Sequence, residues 1–225
     1  MPILDDIQIE INADQVCKRL HLTRDGDFKA VQDLVRAAEL VIEPKVLYKI
    51  SYIEEKNADG VVVDGLPLIS KVLSQNLDQV ERVFPFVVTI GSNFGETMDA
   101  CSDLLEKFYL DTIGNIALSQ VRLVLKDHLK QKFAIEKSAF MAPGSLPNWP
   151  IEQQKPLFEL LGDVQASIGV QLTDSLLMLP AKSESGLYFP TATTFINCQL
   201  CPRERCDSRQ AKYSEKLAAE YGITK

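Results

Sequence analysis

The chain has no surplus of basic charge: 24 lysines and arginines stand against 31 aspartates and glutamates, for a net charge of −7. A protein that binds nucleic acid broadly needs a basic footprint, so that class is excluded. No apolar run approaches the roughly 18 residues that a membrane-spanning helix requires, and no membrane partner is expected. The first residues, Met1-Pro2-Ile3-Leu4-Asp5-Asp6, lack the basic stretch and apolar core of a secretory signal, so the expected location is cytoplasmic. Internal repeats and low-complexity tracts are missing. Histidine is scarce, and His21 and His128 have no catalytic partner nearby in sequence; both read as surface or capping residues. Gly91-Ser92-Asn93-Phe94-Gly95 lacks the Lys-Ser/Thr ending of a phosphate loop and the spacing of a dinucleotide site, so it reads as a strand-to-helix turn.

What is present is the composition of a globular protein, with 225 residues, 46% hydrophobic and 24% charged. That length allows one large domain or two small ones. The cysteines are unevenly placed: three of the five, Cys198, Cys201 and Cys206, fall in one short stretch. A tight turn can point such closely spaced thiolates at a common centre, and reduced thiols in the cytosol favour metal over disulfides. The expectation is an iron–sulfur cluster, with zinc next and free thiols or a disulfide after that. A cluster is generally held by four thiolates, so Cys17, Cys101, a partner or an exogenous ligand would supply the fourth. Arg203, Arg205 and Arg209 surround the thiols and suit cluster charge, an acidic partner or an ordinary solvated loop.

Periodicity predicts a helix from Asp27 to Leu40, with Phe28, Val31, Leu34, Val35 and Ala38 on one stripe and Pro44 beyond its end. A strand from Lys45 to Glu54, the turn Asn57-Ala58-Asp59-Gly60 and a return strand at Val61-Val62-Val63 follow. A short helix is expected around Ile69 to Leu77, then a buried strand from Phe84 to Ile90. Two helices, roughly Glu96 to Tyr109 and Asp111 to Lys132, fill the middle. A proline-rich loop runs from Met141 to Pro150, where Trp149 fits either a ligand wall or, better, an anchor for the loop. A short helix over Glu152 to Leu161, strands at 170–172, 175–179 and 186–189, and a polar helix from Ser208 to Tyr221 complete the expectation. Strands first and helices in mid-chain predict an α+β fold with a mostly antiparallel sheet flanked by long helices. The segments are 1–82, a hairpin and helix region expected within the same domain; 83–192, the core; and 193–225, the cysteine loop and final helix.

Three segments in this order carry a resemblance. They are Val88-Thr89-Ile90-Gly91; Ala142-Pro143-Gly144 through Trp149-Pro150 and Gln154; and Ile168-Gly169-Val170-Gln171-Leu172-Thr173-Asp174-Ser175 running into Pro180-Ala181-Lys182-Ser183-Glu184-Ser185-Gly186-Leu187-Tyr188-Phe189. Over about residues 85–190 the chain resembles the activation (reactivation) domain of cobalamin-dependent methionine synthase, in a stand-alone form. The resemblance implies binding of S-adenosylmethionine and docking on a corrinoid protein or corrinoid methyltransferase. There an electron donor reduces inactive Co(II), and the methyl group traps Co(I). It also implies that Pro143 and Gly144 lie along the cofactor, that Tyr188 sits beside it, and that Ser185 and Gly186 shape the approach.

The sequence departs from that family at three places. Phe140 stands where an arginine is expected, Ser145 where an aromatic is, and Ser119 where an acidic residue is. Losing a guanidinium and a carboxylate removes charge-assisted bonds worth about 1.5–3 kcal/mol each, so affinity for S-adenosylmethionine is expected to be weakened. Two functions compete: an accessory enzyme component that helps return cobalt to Co(I), with the cysteine loop as electron relay, and a non-catalytic module that binds a corrinoid protein or subunit, with a structural zinc and a degenerate cleft. A different, less polar ligand or a tetrapyrrole in the same cleft is a third reading.

Overall fold

The apolar run at Phe84 to Ile90 becomes the axis of the sheet. The computed structural model describes residues 1–146, 148–192, 195–206 and 209–223. Within them the amino-terminal part forms β1 (Ile3–Leu4), α1 (Ala13–Arg19), α2 (Asp25–Glu39), β2 (Lys45–Tyr48), β3 (Ser51–Asn57), β4 (Gly60–Val63), β5 (Leu66–Ile69) and α3 (Lys71–Asn76). The middle forms β6 (Arg82–Thr89), α4 (Ser92–Ala100), α5 (Leu104–Phe133) and β7 (Ser138–Met141). After the proline-rich loop come α6 (Gln154–Leu161), α7 (Val164–Ile168), β8 (Gln171–Leu172), β9 (Met178–Leu179), β10 (Ser183–Pro190) and α8 (Glu215–Glu220).

The expected α+β fold with an antiparallel sheet is what forms. Strand β6 pairs antiparallel with β2 and β3 along one edge and with β10 along the other, and β7 pairs with β10. The β3–β4 hairpin closes at Asn57 opposite Gly60, as its turn residues predict. Successive side chains of a strand point to opposite faces. Phe84, Phe86, Val88 and Ile90 join the core under α1, α2 and α5, while Val83 joins a second core with Leu187, Phe189 and Trp149. Both faces of β6 are therefore covered, which explains its unbroken apolar run. The stripe of α2 packs as expected, with Val31, Val35 and Ala38 buried.

Several boundaries differ from expectation. The strand at Lys45 to Glu54 is two strands, because β2 pairs with Phe86 to Thr89 and β3 only with Arg82 and Val83. The break between the mid-chain helices falls at residues 101–103, not near 110. The Asp103 carboxylate caps α5 by accepting the N–H groups of Leu105 and Glu106 at 2.8 and 3.0 Å. Asp111, expected at a helix start, instead lies within α5 and receives Lys182 Nζ at 2.7 Å, which ties the helix to the approach of β10. The final helix spans only Glu215–Glu220; Ser208, its expected start, lies outside the described residues. Strand β7 and helices α1 and α7 carry too few periodic residues for sequence patterning to register.

Candidate functional site

Strand β10 sorts its residues by parity. Glu184 and Tyr188 face α5, whereas Ser185, Leu187 and Phe189 face the second core. Gly186 shares the face of Glu184 and Tyr188, under Phe86. A Cβ there would meet the Met141 carbonyl at 2.7 Å and the Phe86 ring at 3.0 Å. The bare backbone lets β7, β10 and the aromatic layer close on one another.

Over this face α5 lays Arg122, which is 7% exposed. Its Nε donates to Glu184 Oε2 at 3.1 Å, and its Nη2 donates to Ser119 Oγ at 3.5 Å. The guanidinium carbon lies 4.3 Å from the centroid of Phe140 on β7. Phe140 packs in turn on Tyr188, with centroids 5.5 Å apart. The Tyr188 hydroxyl donates to the Arg122 carbonyl at 3.2 Å. Burial pushes the Tyr188 phenol up to about 12, so it stays protonated and donates. Burial also raises the Glu184 carboxyl above its ordinary range, while the Arg122 charge and hydrogen bond pull against that rise. Sequence reasoning missed this pair. The signal was a lone arginine beside the apolar stripe of a long helix, and a lone glutamate in a strand flanked by serines.

Arg122, Glu184, Phe140 and Tyr188 form the floor of a cleft of about 920 Å³. One wall is α5, with Asn115, Leu118, Ser119, Leu123 and Lys126; the loop after β7 contributes Ala142 and Ser145. The outer wall is the tail, with Phe195, Ile196, Asn197, Cys198, Arg209 and Gln210. Asn197 Nδ2 donates to Ser145 Oγ at 3.2 Å, joining tail to loop. Its Oδ1 is buried and accepts no hydrogen bond from the described residues; a buried acceptor of this kind suits a donor on a bound molecule. A second hollow, of about 980 Å³, lies by the β4–β5 hairpin. Among the described residues its charged lining groups are Asp59 and Lys71, which are exposed and pair with each other at 3.7 Å.

Of the residues expected to hold the cofactor, Tyr188 lines the cleft and Gly186 supports its floor. Pro143 is buried, and Gly144 sits at a positive φ of 79° in the turn that brings Ala142 and Ser145 to the cleft. Ser185 faces away, accepting a bond from Gln154 Nε2 at 3.4 Å. Trp149 is fully buried in the second core and anchors the loop.

Cys198, Cys201 and Cys206 are brought into one tail but not into one centre. Among the described residues, no group of three or more Cys, His, Asp or Glu side chains is placed to hold a metal ion. Cys198 Sγ accepts the Gln210 N–H at 3.4 Å, and Cys201 packs against the second core. The turn is held by Arg209, whose guanidinium donates to the carbonyls of Cys198, Cys201 and Arg203. As arranged among the described residues, the three thiols do not form the metal-holding group that was expected. All five cysteines are free.

Comparison with known proteins agrees with this architecture. The family model for the vitamin B12-dependent methionine synthase activation domain matches residues 122–212, the span that carries Arg122, β7, β10 and the tail. No curated protein matches the chain. Among solved structures, the crystal structure of the MetH reactivation domain bound to AdoHcy (S-adenosylhomocysteine) superposes with a TM-score of 0.51 at 15% identity. The match covers 87% of this chain and 81% of that one. The chain thus has the fold of that domain and resembles its family over the cleft.

Proposed function

We propose that the chain is an accessory protein of corrinoid-dependent methyl transfer. It engages a corrinoid protein whose cobalt has been oxidised to Co(II) and supports its return to Co(I), and the cleft takes the adenosyl ligand. The observation that carries this reading is the Arg122–Glu184 pair on the Phe140–Tyr188 floor, inside the span matched by the activation-domain family. The positions read as departures, Phe140 and Ser119, are both contacts of Arg122. A cation and a carboxylate are thus both present, with the cation supplied by α5 and the carboxylate by β10. A guanidinium suits the α-carboxylate of an amino-acid end, and a carboxylate suits its ammonium.

In this chemistry an external one-electron donor reduces Co(II) to Co(I). The methyl group of S-adenosylmethionine then passes to cobalt, leaving S-adenosylhomocysteine. This chain's part is to hold the ligand's amino-acid end and to exclude water with the loop and tail. No electron-transfer step is assigned to Cys198, Cys201 or Cys206. The setting proposed is the cytoplasm, where the tail thiols remain reduced.

The test is to mix the full chain with a Co(II) corrinoid methyl-carrier protein, a low-potential reductant and S-adenosylmethionine, following the Co(II) paramagnetic signal and the methyl–cobalt absorption. The expected result is faster loss of Co(II) and growth of methyl–cobalt only when chain, reductant and ligand are all present. Identical rates with and without the chain would overturn the reading and favour the non-catalytic binding module.

A further inference from the structure

The tail carries a chemistry of its own. Gln199, Leu200 and Cys201 each donate a backbone N–H to the carbonyl three residues back, at 2.9, 3.0 and 3.4 Å. Residues 196–201 thus follow a tight 3-10 path, on which side chains three apart stand nearly above one another. Cys198 and Cys201 are three apart. At a rise of about 2 Å per residue their Cα atoms are roughly 6 Å apart, inside the window of about 4.4–6.8 Å that a disulfide spans. The turn is held from outside. Arg209 donates to the Cys198 and Cys201 carbonyls at 3.1 and 3.4 Å, and the Ser214 N–H donates to the Gln199 carbonyl at 2.9 Å. Cys206 stands beyond Pro202 and opens a separate turn, closed by the Arg209 N–H at 3.1 Å. The paired thiols differ in surroundings. Cys198 lines the cleft, and the Gln210 N–H donated to its Sγ at 3.4 Å holds the sulfur in place. Cys201 packs against the second core. Both are half-buried and free.

We propose that Cys198 and Cys201 are a redox-active pair whose substrate is a low-molecular-weight disulfide. The Cys198 thiolate attacks one sulfur of that disulfide. The substrate S–S bond breaks, a mixed disulfide forms on Cys198, and the first thiol leaves. The Cys201 thiolate then attacks Cys198 Sγ, which closes the protein disulfide and releases the second thiol. The protons shed by the two cysteines end on the two released thiols. The pair is oxidised by two electrons and the substrate is reduced by two, and an excess of the reduced thiol runs both steps backwards. The roles follow from position. Cys198 opens on a cleft of about 920 Å³, which admits a small molecule, whereas Cys201 sits against the core behind it. A small disulfide therefore fits this site and a protein disulfide does not. The exchange runs between sulfurs and hands no electron to cobalt, so it stands apart from the corrinoid reading.

The test uses the full chain, purified anaerobically, incubated with oxidised glutathione, quenched with an alkylating reagent and mapped by peptide mass. The expected product is a Cys198–Cys201 disulfide, with both halves of one oxidised glutathione released as thiol and Cys17 and Cys206 alkylated. Cys201→Ser is expected to stop at the mixed disulfide, with glutathione held on Cys198. Cys198→Ser should lose the exchange, and Cys206→Ser should keep it in full. In the parent protein, a disulfide made by Cys206, or none at any ratio of oxidised to reduced glutathione, overturns the proposal whatever the variants do. Exchange with a protein disulfide such as oxidised thioredoxin, but not with glutathione, overturns it as well. Thiols that react only after a chelator has stripped a metal from the tail overturn it too.

Discussion

At the scale of single residues, the centre of the molecule is the ion pair between Arg122 and Glu184. The Arg122 side chain is 9% exposed and that of Glu184 is 28% exposed through the cleft. Removing one partner strands a desolvated charge, whereas removing both does not. Glu184→Ala is expected to lower stability in urea by about 2–3 kcal/mol, and Arg122→Met/Glu184→Leu by less than the sum of its single changes. Strict additivity would show that the two charges act independently. His128 gives a pH dependence. Burial, then the Lys132 charge, lowers its pKa from 6.5, and its Nε2 lies 2.9 Å from the Tyr48 hydroxyl. The unfolded chain takes up this proton before the folded one does. This contribution to stability is complete above the ordinary pKa and is lost as pH falls through the lowered one. Unfolding midpoints measured from pH 7.5 down to 5 should flatten in His128→Gln relative to the parent; parallel curves would show that His128 carries none of the slope.

At the scale of elements, the cleft depends on how closely β7, β10 and β6 approach. Gly186 sits where a methyl group would press on the Met141 carbonyl and the Phe86 ring. Gly186→Ala is expected to cost about 1–3 kcal/mol, the usual range for overpacking. It should also weaken ligand binding by lifting Tyr188 and Phe140 apart. An unchanged thermal midpoint would show that the strands have room to spare. Helix α5 carries the opposite wall between Asn115 and Lys126, and the helix itself runs from a capped start at Asp103 to a left-handed stop at Ala134, with φ 52°. Its tether from Lys182 to Asp111 and Asn115, both at 2.7 Å, keeps the helix in register with β10.

At the scale of the whole molecule, the tail is described as a thiol-bearing wall knit by Arg209. Anaerobically purified protein is expected to carry substoichiometric iron and zinc. Its tail cysteines should react quickly with a thiol reagent, while Cys17, buried and with its thiol raised by burial and by Asp14 and Asp27, should react slowly. One metal per chain would show that the tail rearranges around it. The sheet, its buried axis and the Asn57–Gly60 hairpin were legible in sequence because period and turn chemistry are local. So was the segment that builds the cleft, through its resemblance. The Arg122–Glu184 pair was not legible, because its partners lie 62 positions apart and neither departs from the pattern of a surface residue. Ser185, read through the resemblance as shaping the approach to the cofactor, lies on the opposite face of β10 from Glu184 because neighbours in a strand alternate.

The bond from Asn197 to Ser145 joins segments that are made at different times. Arg122, Phe140 and Ser145 precede in the chain the residues that close the outer side of the cleft, Phe195 to Cys198, Arg209 and Gln210. Without the tail, the floor made by Arg122, Glu184, Phe140 and Tyr188 would be an open trough rather than a cleft.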